Sequence, residues 1–180
     1  MKKLQTDCKG NKINSEFGAC VSNAGDINDD GFGDIIVGSK SFNKGRAYVY
    51  YGSASGLSES PNWTVEGKED DSMVGISVAA AGDFNDDGFG EAVAGAYLYR
   101  DLLQRYPDSL DKKSSYLNKK LSYHGGAALI FFGSDSGLSK FEDLALYIEN
   151  DPTPLTYDPL TGFGYCVATA GMSMVINSMI

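Results

Sequence analysis

Cysteine and histidine, the side chains that most often bind zinc or act as nucleophile and base, are scarce in this sequence. Its 180 residues include three cysteines and one histidine. Cys8, Cys20 and Cys166 have no zinc-site spacing and give no disulfide framework, although Cys8 could pair with Cys20. We interpret His124 as structural, because the sequence offers no nucleophile–base pair. The prediction is a non-enzymatic protein with no catalytic residues.

Positive charge and long apolar runs are lacking as well. The net charge is −9 and the pI about 4.5, which makes nucleic acid and anionic membrane surfaces unlikely partners. No apolar run has membrane-spanning length, so we predict no membrane insertion. The start, Met-Lys-Lys-Leu-Gln-Thr, has no apolar core, so we expect no signal peptide in this chain.

Glycine, in contrast, is abundant, and two glycine-bounded acidic stretches share one pattern. These are Gly25–Gly38 and Gly82–Gly95. Oxygen-bearing side chains occupy loop positions one, three, five and nine, and the residue at position seven can lend its backbone carbonyl. Such a donor set suits a hard cation with six to eight oxygen ligands, calcium before magnesium. The predicted ligands are Asp26, Asn28, Asp30, Phe32 and Asp34 in the first loop and Asp83, Asn85, Asp87, Phe89 and Glu91 in the second.

Two other structures are compatible with such acidic loops, an ordinary turn and an EF-hand. Clusters of Asp, Asn and Gly also form ordinary turns, but two copies with identical spacing favour a metal site. An EF-hand needs a glutamate at position twelve and flanking helices, whereas Val37 and Ala94 stand there and strand-like residues follow. Glu91 replaces an aspartate at position nine, and its extra methylene leads us to expect a weaker second site.

Three sequence elements recur in the same order, which indicates internal repeats. Phe17–Gly25 returns as Val74–Gly82 and again as Phe163–Gly171. The stretch Gly45–Ser58 returns as Gly126–Ser139 after an insertion of polar residues. We therefore divide the chain into repeat 1 at 17–73, repeat 2 at 74–162 with an insertion at 98–123, and the start of a truncated third repeat at 163–180.

Each repeat reads as short antiparallel strands separated by turns. In the first repeat the strands are predicted at 17–24, 34–38, 46–52 and near 62–66. Four short antiparallel strands within one repeat make one propeller blade. The predicted fold class is all-β, a partial β-propeller of two to three four-stranded antiparallel blades. Trp63, the single tryptophan, is expected to pack between blades.

The order Phe-Gly, Gly-Asp-x-Asn-x-Asp-Gly, an apolar run and Gly-Ser-x-Ser-Gly-Leu-Ser resembles FG-GAP repeats. These build the seven-bladed propeller of integrin α subunits and of secreted bacterial proteins. The Gly-Ser-x-Ser-Gly-Leu-Ser motif of this chain is more similar to the bacterial branch. The resemblance implies two Ca²⁺ sites on the residues named above. It also implies a module for adhesion or protein interaction, with a protein or glycan ligand, in an extracellular or cell-surface parent protein. The alternative is the propeller portion of a larger secreted enzyme, phospholipase- or lyase-like, whose catalytic domain is absent here.

The blade count leads us to expect a fragment. Two to three blades fall short of the roughly seven that would close this propeller. Unclosed blade faces favour aggregation or self-association. After Gly171 the tail reads Met-Ser-Met-Val-Ile, and a shifted reading frame would permit a third calcium loop there, so we hypothesise a frameshifted or partial reading frame.

Overall fold

The computed structural model describes residues 16–40, 44–68, 70, 72–83, 85–97, 126–147 and 164–169. Within these ranges the chain forms β-strands joined by turns, and no segment is helical. The strands are β1 Phe17–Gly25, β2 Asp34–Ser39, β3 Arg46–Tyr50, β4 Trp63–Glu66, β5 Val74–Gly82, β6 Glu91–Ala96, β7 Ala127–Phe131 and β8 Leu144–Tyr147.

The strands make two antiparallel sheets, each with four strands in sequence order. One sheet is β1-β2-β3-β4 and the other is β5-β6-β7-β8. Each sheet bulges twice where its first strand pairs with its second, at equivalent places. Such a bulge adds local twist to a sheet. The two sheets confirm the predicted all-β architecture of partial propeller blades, and the strands of the first sheet lie where they were predicted.

The two sheets stack face to face, with β5 packed against β1 and β2. Ile36 and Val49 from the first sheet share one apolar core with Ala94 and Phe131 from the second. Trp63 belongs to this core, where its ring meets that of Phe131 edge to face with centroids 4.8 Å apart. The predicted packing of the tryptophan between blades is confirmed.

The central strands are buried on both faces, as their continuous apolar runs predict. On β2, the adjacent residues Ile36 and Val37 point to opposite faces and are 0% and 3% exposed. The first strands of the two sheets differ, because β5 packs against the first sheet while Val21 of β1 is 58% exposed. The burial of a first strand therefore depends on the neighbouring sheet rather than on its own sequence.

Glycine allows the two sheets to approach closely where the end of β2 meets the start of β5. A Cβ on Gly38 would lie 2.0 Å from the carbonyl oxygen of Gly75, so only hydrogen fits there. The second sheet repeats this contact, since a Cβ on Gly95 would lie 1.9 Å from the carbonyl oxygen of Gly164. Ser77 also donates its hydroxyl to the Gly164 carbonyl at 3.0 Å. Residues 164–169 thus meet the second sheet as β5 meets the first.

Several sequence predictions fall on residues outside the described ranges. These are Cys8, His124, the insertion at 98–123 and the frameshift hypothesis for the tail. The repeat boundaries remain predictions. In the part of the chain that the structure describes, no helix has the length and apolar character needed to cross a membrane.

Candidate metal centres

The two acidic loops connect the first and second strands of their sheets and follow the same backbone path. Asp29 and Asp86, at loop position four, have positive φ angles of 54° and 60°. Aspartate tolerates this left-handed region better than most residues. Gly31 and Gly88, at position six, have φ angles of 85° and 93°. The repeated spacing in sequence is therefore also a repeated conformation.

Asp26 organises the first loop through the backbone. Its two carboxylate oxygens accept hydrogen bonds from the N–H groups of Asp30 at 3.0 Å and Gly31 at 2.8 Å. Asp30 in turn accepts from the Phe32 N–H at 2.9 Å and from the Asn28 amide nitrogen at 3.0 Å. The loop is therefore held closed by hydrogen bonds to its own acidic side chains.

The second loop reproduces this network residue for residue. Asp83 accepts from the N–H groups of Asp87 and Gly88, each at 3.0 Å. Asp87 accepts from the Phe89 N–H at 2.9 Å and from the Asn85 amide nitrogen at 2.8 Å. Eight of the ten predicted ligand residues thus belong to two equivalent hydrogen-bonded turns.

The remaining two predicted ligands stand at loop position nine, and both are buried, unlike the acidic residues earlier in the loops. Asp34 is the first of them. Its side chain is buried, and its Oδ2 accepts from the Ile27 N–H at 2.9 Å while its Oδ1 accepts from the Gly52 N–H at 2.8 Å. Burial raises the pKa of Asp34, the two amide hydrogen bonds oppose that rise, and the nearby charges of Asp30 and Asp26 add to it. Asp34 therefore ties the first loop to the segment that follows β3.

Glu91 is the second, and its side chain is fully buried. One carboxylate oxygen from each of Asp83, Asp87 and Glu91 lies within 4.8 Å of the other two. Among the described residues no other group of three acidic, histidine or cysteine side chains converges in this way. The three carboxylates of the first loop consequently do not meet at such a common centre.

The donors in both loops fit a hard divalent cation. They are carboxylate and amide oxygens, which calcium prefers to nitrogen or sulfur ligands. The Oδ1 of Asn28 is buried and has no hydrogen-bond partner, so it is an oxygen that a cation could satisfy. The corresponding oxygen of Asn85 accepts the Asp87 N–H at 3.1 Å. The first loop thus has a buried amide oxygen without a hydrogen-bond partner, and the second has three carboxylates close together.

Two residues next to the first loop were missed by the sequence interpretation. Gly52 supplies the amide that holds Asp34, and Tyr51 lies beside it with its hydroxyl against Gly137 of the second sheet. Burial and the charge of Asp34 raise the pKa of Tyr51, while a hydrogen bond from the Leu138 backbone opposes the rise. The recurrence of glycine after the third strand of both sheets was the available signal for Gly52.

Repeated four-stranded blades, each with an oxygen-rich loop between its first two strands, define a partial β-propeller. Residues 17–50 match the family model described as the FG-GAP repeat. This match covers β1, the first acidic loop, β2 and β3. The chain therefore contains an FG-GAP repeat and is similar to integrin alpha subunits.

The curated relatives agree with this assignment. Integrin alpha-6 of Gallus gallus is 35% identical over 83 residues, which are 46% of this chain and 8% of the integrin. Integrin alpha-PS3 of Drosophila melanogaster is 32% identical over 98 residues, which are 48% of this chain and 9% of that protein. Integrin alpha-3 of Mus musculus is 40% identical over 55 residues, 31% of this chain and 5% of the integrin. The chain therefore matches less than a tenth of the length of these relatives.

Proposed function

We propose that this chain is a calcium-binding, non-catalytic FG-GAP module that supports adhesion or protein interaction. The carrying observation is the convergence of Asp83, Asp87 and Glu91, whose oxygens lie within 4.8 Å of one another in a loop that the chain repeats. Three carboxylates held this close repel one another, and a divalent cation between them relieves the repulsion. The repetition of the loop supports a second site at Asp26, Asn28 and Asp30.

In this proposal calcium has a structural function. Each loop joins the first and second strands of its sheet, and a cation bound there would tie loop positions one, three and five to one centre. No open coordination position is needed for such a function. The proposed binding strength is that of extracellular modules, with a dissociation constant on the order of 10⁻⁴–10⁻³ M.

The adhesion part of the proposal is supported by the relatives, since each of the three proteins above is named an integrin. We place the parent protein outside the cell or on its surface for the same reason. The proposed ligand is a protein or glycan. A net charge of −9 also argues for a basic or neutral partner surface rather than an acidic one.

The proposal extends to contacts between blades. On the first sheet, Val65 packs into the core shared with the second sheet. Leu146 has the corresponding place on β8, opposite Ala128 as Val65 is opposite Ala47, and it is 45% exposed. The outward face of the second sheet would therefore accept a further blade, and without one it would favour self-association.

Thermal unfolding of the full chain at increasing calcium concentrations tests the metal part of the proposal. A ligand that binds only the folded state stabilises it by about 2.7 kcal/mol at one hundred times its dissociation constant. The unfolding midpoint should rise with calcium, fall back when EDTA is added, and respond less to magnesium at equal concentration. A midpoint indifferent to calcium and EDTA would contradict the proposal.

A further inference from the structure

Two exposed polar residues flank the buried Trp63 at the start of β4. These are Asn62 and Thr64, and together the three residues read Asn-x-Thr with an x that is not proline. No other Asn-x-Ser or Asn-x-Thr occurs in the 180 residues. This spacing is the acceptor sequence for N-linked glycosylation, a modification of surface asparagines in secreted proteins.

The backbone determines which end of the Asn62 amide is engaged. Its Oδ1 accepts a hydrogen bond from the Tyr51 N–H at 2.9 Å, and the Ser58 hydroxyl donates to the same oxygen. Because a backbone N–H needs an acceptor opposite it, these contacts assign the positions of the amide oxygen and nitrogen. The Nδ2 atom makes no hydrogen bond to any residue that the structure describes.

The second sheet closes the equivalent turn without an amide nitrogen. Asp143 stands at the position of Asn62, and its Oδ2 accepts from the Phe132 N–H at 2.7 Å and from the Ser139 hydroxyl. An oxygen acceptor is therefore sufficient for this structural task. What asparagine adds to it is an uncharged Nδ2, the atom to which an N-linked sugar is attached.

A stacked blade leaves this position open to solvent. Trp63 packs in the core shared by the two sheets, so the next residue, Thr64, lies on the opposite face of the first sheet. The corresponding face of the second sheet is covered by the first sheet, and Ala145, which occupies the place of Thr64, packs against the shared core. Asp143 is exposed all the same. A blade on the free face of the first sheet would therefore leave Asn62 accessible.

We infer that Asn62 is an acceptor for an N-linked oligosaccharide. The donor would be a lipid-linked pyrophosphate oligosaccharide. Nδ2 forms a bond to the anomeric carbon of the first sugar, and the bond from that carbon to the pyrophosphate oxygen breaks. The lipid pyrophosphate leaves with the bonding electrons, and Nδ2 gives one proton to a base of the transferase. Oδ1 takes no part in this exchange, so it can keep its hydrogen bonds in the modified protein.

The inference rests on the proposed extracellular or cell-surface location, because this transfer occurs in the secretory pathway. It goes beyond the proposed function by assigning a covalent modification to one residue. Calcium binding is not required for it.

Expression of the full chain behind a cleavable secretion leader in animal cells tests the site. Peptide-N-glycosidase F should increase the electrophoretic mobility of the wild-type chain and leave aspartate at position 62, which peptide mass spectrometry identifies. The same chain without the leader stays in the cytosol and is the unmodified control. A chain whose leader has been removed, but whose mobility the glycosidase does not change, would overturn the inference.

The second sheet suggests the matched substitution. Asn62→Asp copies the acceptor found at Asp143, so it should lose the glycan and keep the urea midpoint of the unglycosylated wild-type chain. Thr64→Val removes the hydroxyl of the acceptor sequence and should also lose the glycan, whereas Thr64→Ser should retain it. A glycan that persists in Asn62→Asp or Thr64→Val would contradict the assignment. A large fall in the Asn62→Asp midpoint would show that Nδ2 has a structural task after all.

These outcomes are separate from those for the proposed function. The leader makes occupancy independent of where the parent protein resides, and the glycosidase assay does not involve calcium. An unmodified chain whose unfolding midpoint rises with calcium would overturn the inference alone. A glycosylated chain whose midpoint ignores calcium would overturn the metal proposal and leave the glycan site.

Discussion

Trp63 of the first sheet donates its indole N–H to the backbone carbonyl of Ser139 in the second sheet at 2.8 Å. The two residues are far apart in sequence, and the bond spans the interface between the blades. The indole ring itself is buried against Phe131. A single side chain therefore joins the two sheets by apolar contact and by a directed polar bond.

Replacing this tryptophan tests how much the polar bond contributes. Trp63→Phe keeps an aromatic ring but leaves the partly buried Ser139 carbonyl without its donor, which should cost about 1–3 kcal/mol of unfolding free energy. Trp63→Ala should cost about 3–5 kcal/mol, because it also leaves a cavity. Urea unfolding in constant calcium measures both. Equal midpoints for wild type and Trp63→Phe would show that the bond adds nothing.

Gly75 and Gly18 form a matched pair for testing the close approach of the blades. They have the same motif position and φ angles of 82° and 84°. A Cβ on Gly75 would lie 2.1 Å from the Arg46 carbonyl oxygen, whereas a Cβ on Gly18 would meet nothing within 4 Å. Gly18→Ala should cost about 1–2 kcal/mol for its left-handed backbone. Gly75→Ala should cost about 1–3 kcal/mol more for overpacking, and equal losses of urea stability would contradict this account.

Alkaline unfolding should report on Tyr51, whose pKa is raised first by burial and then by the charge of Asp34. Because the folded-state pKa lies above the unfolded value of about 10, the stability associated with the neutral hydroxyl is present below that pH and is lost above it. The stability advantage of wild type over Tyr51→Phe should therefore shrink as the pH rises past about 10. Urea midpoints measured across this range test the expectation, with Tyr165→Phe as the control for loss of an exposed tyrosine. An advantage independent of pH would refute it.

The exposed face of the second sheet can be tested through Leu146, which is 45% exposed. Leu146→Lys should reduce concentration-dependent association in sedimentation velocity, because burying an unpaired charge between two blades is costly. Thr64→Lys adds the same charge to an exposed position of the other outer strand and serves as the control. A wild-type chain that remains monomeric at high concentration would argue against self-association through this face.

The strands could be predicted from sequence because their signals are local. Alternating or continuous apolar residues between glycine-rich turns place β1 to β4 within a few residues, and the recurrence of the same elements predicts a second sheet. The partners of individual side chains are not local. Nothing near Asp34 in the sequence indicates that Gly52 donates to it, and nothing near Trp63 indicates Ser139. These contacts depend on how strands pair and how sheets stack.

The candidate metal loops also show that contacts between side chains cannot be predicted from nearby sequence. The spacing of oxygen side chains identifies the candidate residues, but it does not show which of their oxygens lie close together in the fold. Asp34 and Glu91 differ in sequence by one methylene. The distance from the Glu91 carboxylate to the other two can be judged only once the positions of Asp83 and Asp87 are known. Geometry of this kind cannot be obtained from residue types alone.

The glycine contacts between the sheets have a consequence for how such repeats diverge. At Gly38 and Gly75, and again at Gly95 and Gly164, main chain meets main chain with no side chain between them. The distance between the sheets at these points is consequently set by van der Waals contact between main-chain atoms, and it does not depend on which side chains fill the rest of the interface. Turns and outer strands can then accumulate substitutions and insertions while successive units keep a constant spacing.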